Sequence, residues 1–221
     1  MKQTMDNKTA LVIGGGHYGT KACRYFKEQK ARVILVDNDP ACKAQALVDK
    51  NDFIMQDSQS AWDLALTLKP DFIVPTCSSH TCGNWIGKYF RLKPLSDSIP
   101  NVTGRMPPSL FLGCDEPNAT LIFSYMTRGK LCRPDCPHPP EECGLTREPR
   151  PAPLFKLLEY GVFELFACAK IFVSEQMAPS IGAIRGSEFL EFMHEIEAKH
   201  PKTLAVGTAC RCHGVLNLFK Q

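Results

Sequence analysis

Apolar residues along the first ninety positions fall into short runs rich in β-branched side chains, separated by amphipathic stretches. Thr9-Ala10-Leu11-Val12-Ile13 has no polar alternation and reads as a strand covered on both faces, as in a parallel sheet. After it, Tyr18, Ala22, Tyr25 and Phe26 recur on one face of a helix. The pattern predicts strand 9–14, helix 17–30, strand 32–37, helix 40–49, strand 52–56, helix 59–68, strand 71–75 and helix 80–91. Pro40 suits a first helical position, Ser58 or Ser60 can cap the third helix, and Lys69-Pro70 ends it. Strands alternating with helices through short connections predict an α/β fold with a doubly wound, mostly parallel, Rossmann-like sheet.

The pattern breaks at Leu92. From there to Pro153 proline and glycine are frequent, and Thr120 to Met126 is the one strand-like run. Prolines at this density oppose helices and central strands. Periodicity returns with a helix at 156–165, a strand at 170–174, a helix at 187–199, a strand at 203–208 and a short final helix. The expected organisation is a dinucleotide-binding half at 1–92, a Pro/Cys-rich insertion at 93–153, and a second α/β half at 154–221. That last half would add strands to the same sheet.

The junction between the first strand and helix carries candidate chemistry. Gly14-x-Gly16-x-x-Gly19 closes the strand and opens the helix, and the second strand ends in Asp37. In a dinucleotide site Gly14 makes the tight turn, Gly16 lets a pyrophosphate approach the backbone, and Gly19 lets helix and strand pack closely. The helix N-terminus then receives the phosphate charge, and Asp37 accepts hydrogen bonds from a ribose diol. Asp37 with Asn38-Asp39 beside it favours NAD(H) over NADP(H), because nothing there neutralises a 2′-phosphate.

These 9–92 residues resemble the nucleotide-binding domain of potassium-transport regulators, the TrkA-N or RCK family. The resemblance rests on Gly14, Gly16 and Gly19, on Val36-Asp37-Asn38-Asp39-Pro40, and on Gln56-Asp57-Ser58 after the third strand. It implies that Asp37 holds the adenosine ribose and that Asp57 lies beside the adenine. Pro75-Thr76-Cys77 lies where the family's fourth strand opens onto the cofactor, and His17 and Tyr18 fill the variable positions between glycines. The remainder of the chain resembles an uncharacterised cysteine-rich group of TrkA-N-like proteins of anaerobes. A Gly-Gly-Gly start is also common in precorrin-dehydrogenase-like enzymes, which form a third, weaker reading.

Composition changes the picture at one residue type. The 221 residues are 44% hydrophobic and 22% charged with a net charge of +3, so neither nucleic-acid binding nor membrane insertion is expected. The most apolar stretch, Leu154 to Val173, is interrupted by Lys156, Glu159, Glu164 and Lys170. With a short polar start and no secretory signal visible, the expected location is cytoplasmic. Eleven cysteines are therefore many, and metal ligation or redox chemistry rises above structural disulfides.

Cys132, Cys136 and Cys143 share one proline-stiffened segment, and Cys210, Cys212 and His213 follow a strand end. The spacing lacks the paired C-x2-C of structural zinc. Proline directly after Cys136 is a feature of bacterial iron–sulfur loops, so a [4Fe-4S] cluster is favoured, with zinc as the alternative. Cys77 is a further candidate ligand. His80 and His138 read as loop residues, and Arg185 as a cation able to bind a substrate anion. Cys23, Cys42 and Cys168 read as packing residues.

The leading expectation is an NAD(H)-binding redox protein with a Cys-ligated metal centre, acting as an oxidoreductase or electron-transfer component. A redox protein partner or a larger complex is expected, with oligomerisation open. The alternative is a non-catalytic sensor or regulatory subunit for NAD(H) or adenine nucleotide, with structural zinc or free cysteines. No residue pattern names the catalytic groups or the substrate.

Overall fold

A computed structural model describes residues 5–126, 132, 136 and 141–221. The chain folds as a mixed α/β protein with two sheets. It divides into two compact units, Met1–Trp85 with Glu175–Glu191, and Ile86–Ser174 with Phe192–Gln221. Among the described residues no helix is long and apolar enough to cross a membrane.

The first unit follows the sequence pattern through β1 (Thr9–Ile13), α1 (His17–Glu28), β2 (Arg32–Asp37), β3 (Phe53–Met55), α2 (Trp62–Leu68) and β4 (Phe72–Pro75). It also contains the start of α3 (Thr81–Tyr89). Strands lie in the order β3-β2-β1-β4, all parallel. Four of five β1 residues are buried, as their unbroken apolar run requires. Ala10, Val12, Ala22, Phe26, Val33, Leu35, Phe72 and Val74 share one core on one face of this sheet.

The helix expected at 40–49 does not form. Residues 38–52 instead make turns and two short 3-10 segments. Asp39 accepts the Ala41 N–H at 2.8 Å, and Ala44 N–H reaches Gly15 O at 3.1 Å. A local carboxylate turn and the glycine segment thus take backbone groups that a helix would have used.

The second unit contains the remainder of α3, then β5 (Lys93–Pro94), α4 (Ile99–Thr103), β6 (Phe111–Asp115), β7 (Thr120–Ser124), α5 (Leu154–Val162) and β8 (Cys168–Val173). The chain then adds β9 (Glu175–Ala178) and β10 (Ile181–Arg185) to the first sheet, antiparallel beside β4. It returns through α6 (Gly186–Lys199) to β11 (Thr203–Ala209) and β12 (His213–Lys220). The second sheet runs β6-β7-β12-β11-β8, with β5 also paired to β12. Only β8 and β11 are parallel in it. Its core includes Leu121, Phe123, Leu154, Leu158, Ile171, Leu216 and Leu218.

The C-terminal segment adds two strands, the β9–β10 hairpin, to the first sheet and its other strands to the second. One expectation is corrected here. The expected final helix is a strand. The turn Cys210–Cys212 reverses the chain, and β12 pairs with β11 from Thr203↔Lys220 to Ala209↔Gly214. A run this short and apolar fits either periodicity, and the hairpin decides it.

Candidate functional site

Gly14 has φ +101°, a conformation that excludes other L-residues without strain. A Cβ on Gly19 would stand 1.9 Å from Gly14 O, so helix and strand meet at backbone distance. Gly15 is equally confined, with Cys42 Sγ 2.3 Å from its ideal Cβ position. Gly16 differs: no atom lies within 4 Å of a Cβ there. Gly16 is also the N-cap of α1 and supplies no side-chain cap, and the first turn carries no acid.

Asp37 is bound into this turn. Its Oδ2 accepts Gly15 N–H at 2.5 Å and its Oδ1 accepts Asp39 N–H at 2.8 Å, while the carboxylate stays partly exposed. Thr76 Oγ1 lies 2.9 Å from Ile13 O and 2.8 Å from Gly14 O, so its hydroxyl braces the turn from below. His17 and Tyr18 meet edge to face at 5.2 Å, and Tyr18 is exposed. Asn38, next to Asp37 in sequence, is exposed. Asp57 accepts Gln59 N–H at 3.3 Å, and Ser58 O accepts Trp85 Nε1–H at 2.7 Å. Cys77 Sγ lies 3.2 Å from Thr81 Oγ1. Arg185 pairs with Glu175 through two bonds of 3.0 and 2.7 Å, and its guanidinium covers the Phe72 ring. The cation read as a substrate anchor is thus engaged within its own hairpin.

The second unit holds the loop cysteines and the Cys210–Cys212 turn. Cys136, Cys143 and Cys212 are buried, and Cys132 and Cys210 are partly buried. Burial first, then the charge and hydrogen bond of Cys136 and the weaker influence of Cys143 and Cys210, push the Cys132 thiol up to about 11. Cys143 moves the other way, to about 7. Burial opposes its ionisation, but Thr146, the Leu145 N–H and the Arg150 side chain all hydrogen-bond its sulfur. Cys210 is held far below the ordinary thiol range by a hydrogen bond from Cys212, against burial, and by His213 and the Cys212 N–H. Cys212 is pushed up correspondingly by that bond and by burial. No disulfide links cysteines among the described residues. Nor, among them, does any group of three or more His, Cys, Asp and Glu side chains form a ready metal site. His138 lies outside the described residues.

Sequence reasoning missed Arg150, which is 6% exposed beside these sulfurs. A buried guanidinium is costly unless anions or acceptors surround it. Its signal was its position in Arg150-Pro151-Ala152-Pro153, just after the third loop cysteine.

The fold and these sites define a two-sheet α/β protein that combines a glycine-rich strand–helix turn with a cluster of thiols. Two family profiles cover nearly all of it. One, described as "Uncharacterized protein, C-terminal domain" of AF_1314, matches residues 82–221, and its N-terminal counterpart matches 9–81. The chain belongs to this AF_1314 family. An uncharacterized protein of Archaeoglobus fulgidus is 27% identical over 222 residues, covering 96% of this chain and 99% of the relative.

Proposed function

We propose that this protein binds a nicotinamide dinucleotide on its first unit and carries a thiolate-ligated metal centre on its second, as an oxidoreductase or electron-transfer component. The observation that carries the nucleotide half is the vacant side-chain position of Gly16 at the uncapped start of α1. Neighbouring Gly14, Gly15 and Gly19 are glycine because the protein itself crowds or bends them, whereas Gly16 is crowded by nothing. Space beside N–H groups at a helix start suits a pyrophosphate. The parallel order β3-β2-β1-β4 agrees with a Rossmann half, and so does Asp37 at the end of β2. This is the finer reading that the TrkA-N/RCK resemblance implies.

In this reading Gly14, Gly16 and Gly19 shape the phosphate turn, Asp37 and Asn38 face the ribose, and Asp57 and Ser58 border the adenine. His17, Tyr18 and Thr76 frame the turn. The dinucleotide would supply hydride chemistry, while this chain orients it. For the centre, Cys132, Cys136 and Cys143 are ligands, and an iron–sulfur cluster is favoured over zinc. A second reading, a nucleotide sensor with structural zinc, draws on the engagement of Arg185 by Glu175, which removes the one cation read as a substrate anchor.

Isothermal titration of the full chain with NADH, NADPH and ATP, together with metal and acid-labile sulfide analysis after anaerobic purification, tests the proposal. NADH binding with iron and sulfide is the expected result. Absence of binding by any nucleotide overturns the first half, and absence of any metal overturns the second.

A further inference from the structure

The register of the last hairpin sets a thiol against an imidazole. β11 and β12 pair as far as Ala209↔Gly214, so Cys210 and His213 are the next facing residues, joined by the Cys210 N–H bond to His213 O at 2.9 Å. Directly opposed residues of two antiparallel strands bring their side chains together on one face. Cys210 Sγ accordingly lies 3.7 Å from His213 Nδ1. The same sulfur accepts the backbone N–H groups of Cys212 and His213, both at 3.4 Å. A neutral thiol is a weak acceptor and gains little from such donors. A thiolate gains charge-assisted bonds from them, and the imidazole can hold the proton that the sulfur gives up.

Neighbouring segments fix the turn that carries this sulfur. Tyr125 N–H binds Cys212 O at 2.9 Å, Leu154 N–H binds Arg211 O at 3.0 Å, and Ser174 N–H binds Ala209 O at 2.8 Å. The thiol and its donors are therefore preorganised. Cys210 is partly exposed, Arg211 beside it is exposed, and Cys212 is buried. Partial exposure next to His and Arg is the setting of a reactive cysteine, whereas thiols buried in apolar surroundings are inert. Cys212 is close at hand, because its backbone nitrogen touches the Cys210 sulfur and its thiol is a hydrogen-bond partner of that sulfur. Side-chain rotation within one turn thus brings the two sulfurs into bonding reach.

We propose that Cys210 and Cys212 form a thiol–disulfide exchange site, with Cys210 as the attacking thiolate, Cys212 as the resolving thiol and His213 as the proton partner. Because Cys210 is only partly exposed on a fixed turn, the substrate class is a low-molecular-weight disulfide. The Cys210 proton passes to His213 Nδ1, and the thiolate attacks one substrate sulfur. A Cys210–substrate S–S bond forms as the substrate S–S bond breaks, and the departing sulfur takes the proton from His213. Cys212 then attacks the Cys210 sulfur, and the Cys210–Cys212 disulfide forms. The second substrate sulfur leaves with the Cys212 proton. The substrate is reduced to two thiols and the pair is oxidised to one disulfide, so the exchange balances without a further reactant. The site uses none of Cys132, Cys136 and Cys143, and it stands or falls independently of the metal centre proposed above.

The test uses the full reduced chain, freed of reductant without oxygen and mixed at pH 7 with dithiobis(nitrobenzoate), an aromatic disulfide that releases a coloured thiol. Peptide mass mapping after a limiting dose should find Cys210 reacting about tenfold faster than the exposed Cys114. The product should be the Cys210–Cys212 disulfide, with two equivalents of coloured thiol released in the fast phase. Cys212→Ser should release one equivalent and keep the mixed disulfide at Cys210, and Cys210→Ser should lose the fast phase. His213→Ala should slow that phase several-fold, and His213→Asn, which keeps a hydrogen-bonding group near the sulfur, should restore much of the rate. Reaction at Cys210 no faster than at Cys114 in the unaltered chain overturns the proposal, whatever the variants do. So does a fast phase at Cys210 that appears only after treatment with a chelator, because the sulfur would then be a metal ligand. Release of two equivalents by Cys212→Ser overturns the resolving role of Cys212.

Discussion

Gly19 packs against Gly14 so closely that a Cβ on Gly19 would lie 1.9 Å from the Gly14 carbonyl oxygen and 3.1 Å from Thr76 Oγ1. The first obstacle is backbone, which cannot rotate away. Gly19→Ala must therefore separate α1 from β1, and overpacking of this kind costs about 3 kcal/mol or more. Thermal denaturation should show a midpoint lower by roughly 10 °C for a chain of this size. An unchanged midpoint would mean that the turn is not packed as described.

Gly16 provides the contrast. Its φ of −71° is negative, so no left-handed backbone requires glycine there, and an added Cβ meets nothing within 4 Å. Gly16→Val should change stability by only about 1 kcal/mol, the scale of an altered N-cap. On the proposed function it should also abolish NAD(H) binding, since the side chain would enter the pyrophosphate space. Retained affinity in a folded Gly16→Val protein rules out that placement of the phosphates.

Asp37 should determine which dinucleotide binds. Its carboxylate already accepts the Gly15 and Asp39 N–H groups, yet stays partly exposed at the end of β2. Hydrogen bonds to a charged group contribute about 1.5–3 kcal/mol. Asp37→Ala should thus weaken NADH binding roughly 10- to 100-fold by titration calorimetry. The unaltered protein should bind NADPH more weakly than NADH, because Asp37 repels a 2′-phosphate. Equal or tighter NADPH binding would sink the assignment.

Much of the first unit was legible because its strands are unbroken apolar runs and its turn is spelled by glycines. The loop at 38–52 was not, because Pro40 and the apolar residues after it fit a helix equally well. The Asp39 turn and the Ala44 bond to Gly15 decide it, and that bond joins residues far apart in sequence. A Cβ on Gly186 would meet Pro70 O at 1.8 Å. Close backbone approach from a segment so distant in sequence leaves no local signature. The loop cysteines were singled out by composition and spacing. The N–H groups around Cys143 and Cys210 come from turn geometry, and no residue type announces them.

Cys168 offers a test of local electrostatics away from the proposed centre. Its thiol is pushed up to about 11, first by burial and then by the Glu195 carboxylate, whose Oε1 it meets at 3.6 Å. A neutral group in place of Glu195 removes the second influence and keeps the first. In Glu195→Gln the Cys168 pKa should fall while staying above the ordinary thiol value. Site-resolved alkylation followed across pH should show the Cys168 profile shifted to lower pH, with Cys23, pushed up to about 12 chiefly by burial, unmoved. A Cys168 profile that does not shift would show that the carboxylate does not act on it.

Asp71 ties the entrance of β1 to that of β4, and its contribution should depend on pH. Burial alone would raise its carboxyl, but Lys8 Nζ at 2.8 Å and Thr9 N–H at 2.9 Å hold it below the ordinary carboxylate value. A carboxyl that ionises more readily in the folded chain stabilises that chain above its unfolded pKa. The contribution disappears as pH falls through the folded-state value. Because Lys8 is half exposed, solvent screens the pair, and the effect at pH 7 is about 1 kcal/mol. Asp71→Asn should therefore unfold at lower urea than the unaltered protein at pH 7, and the two should converge as pH falls through the lowered folded-state value of Asp71. A gap that stays constant with pH would assign the role of Asp71 to neutral hydrogen bonding alone.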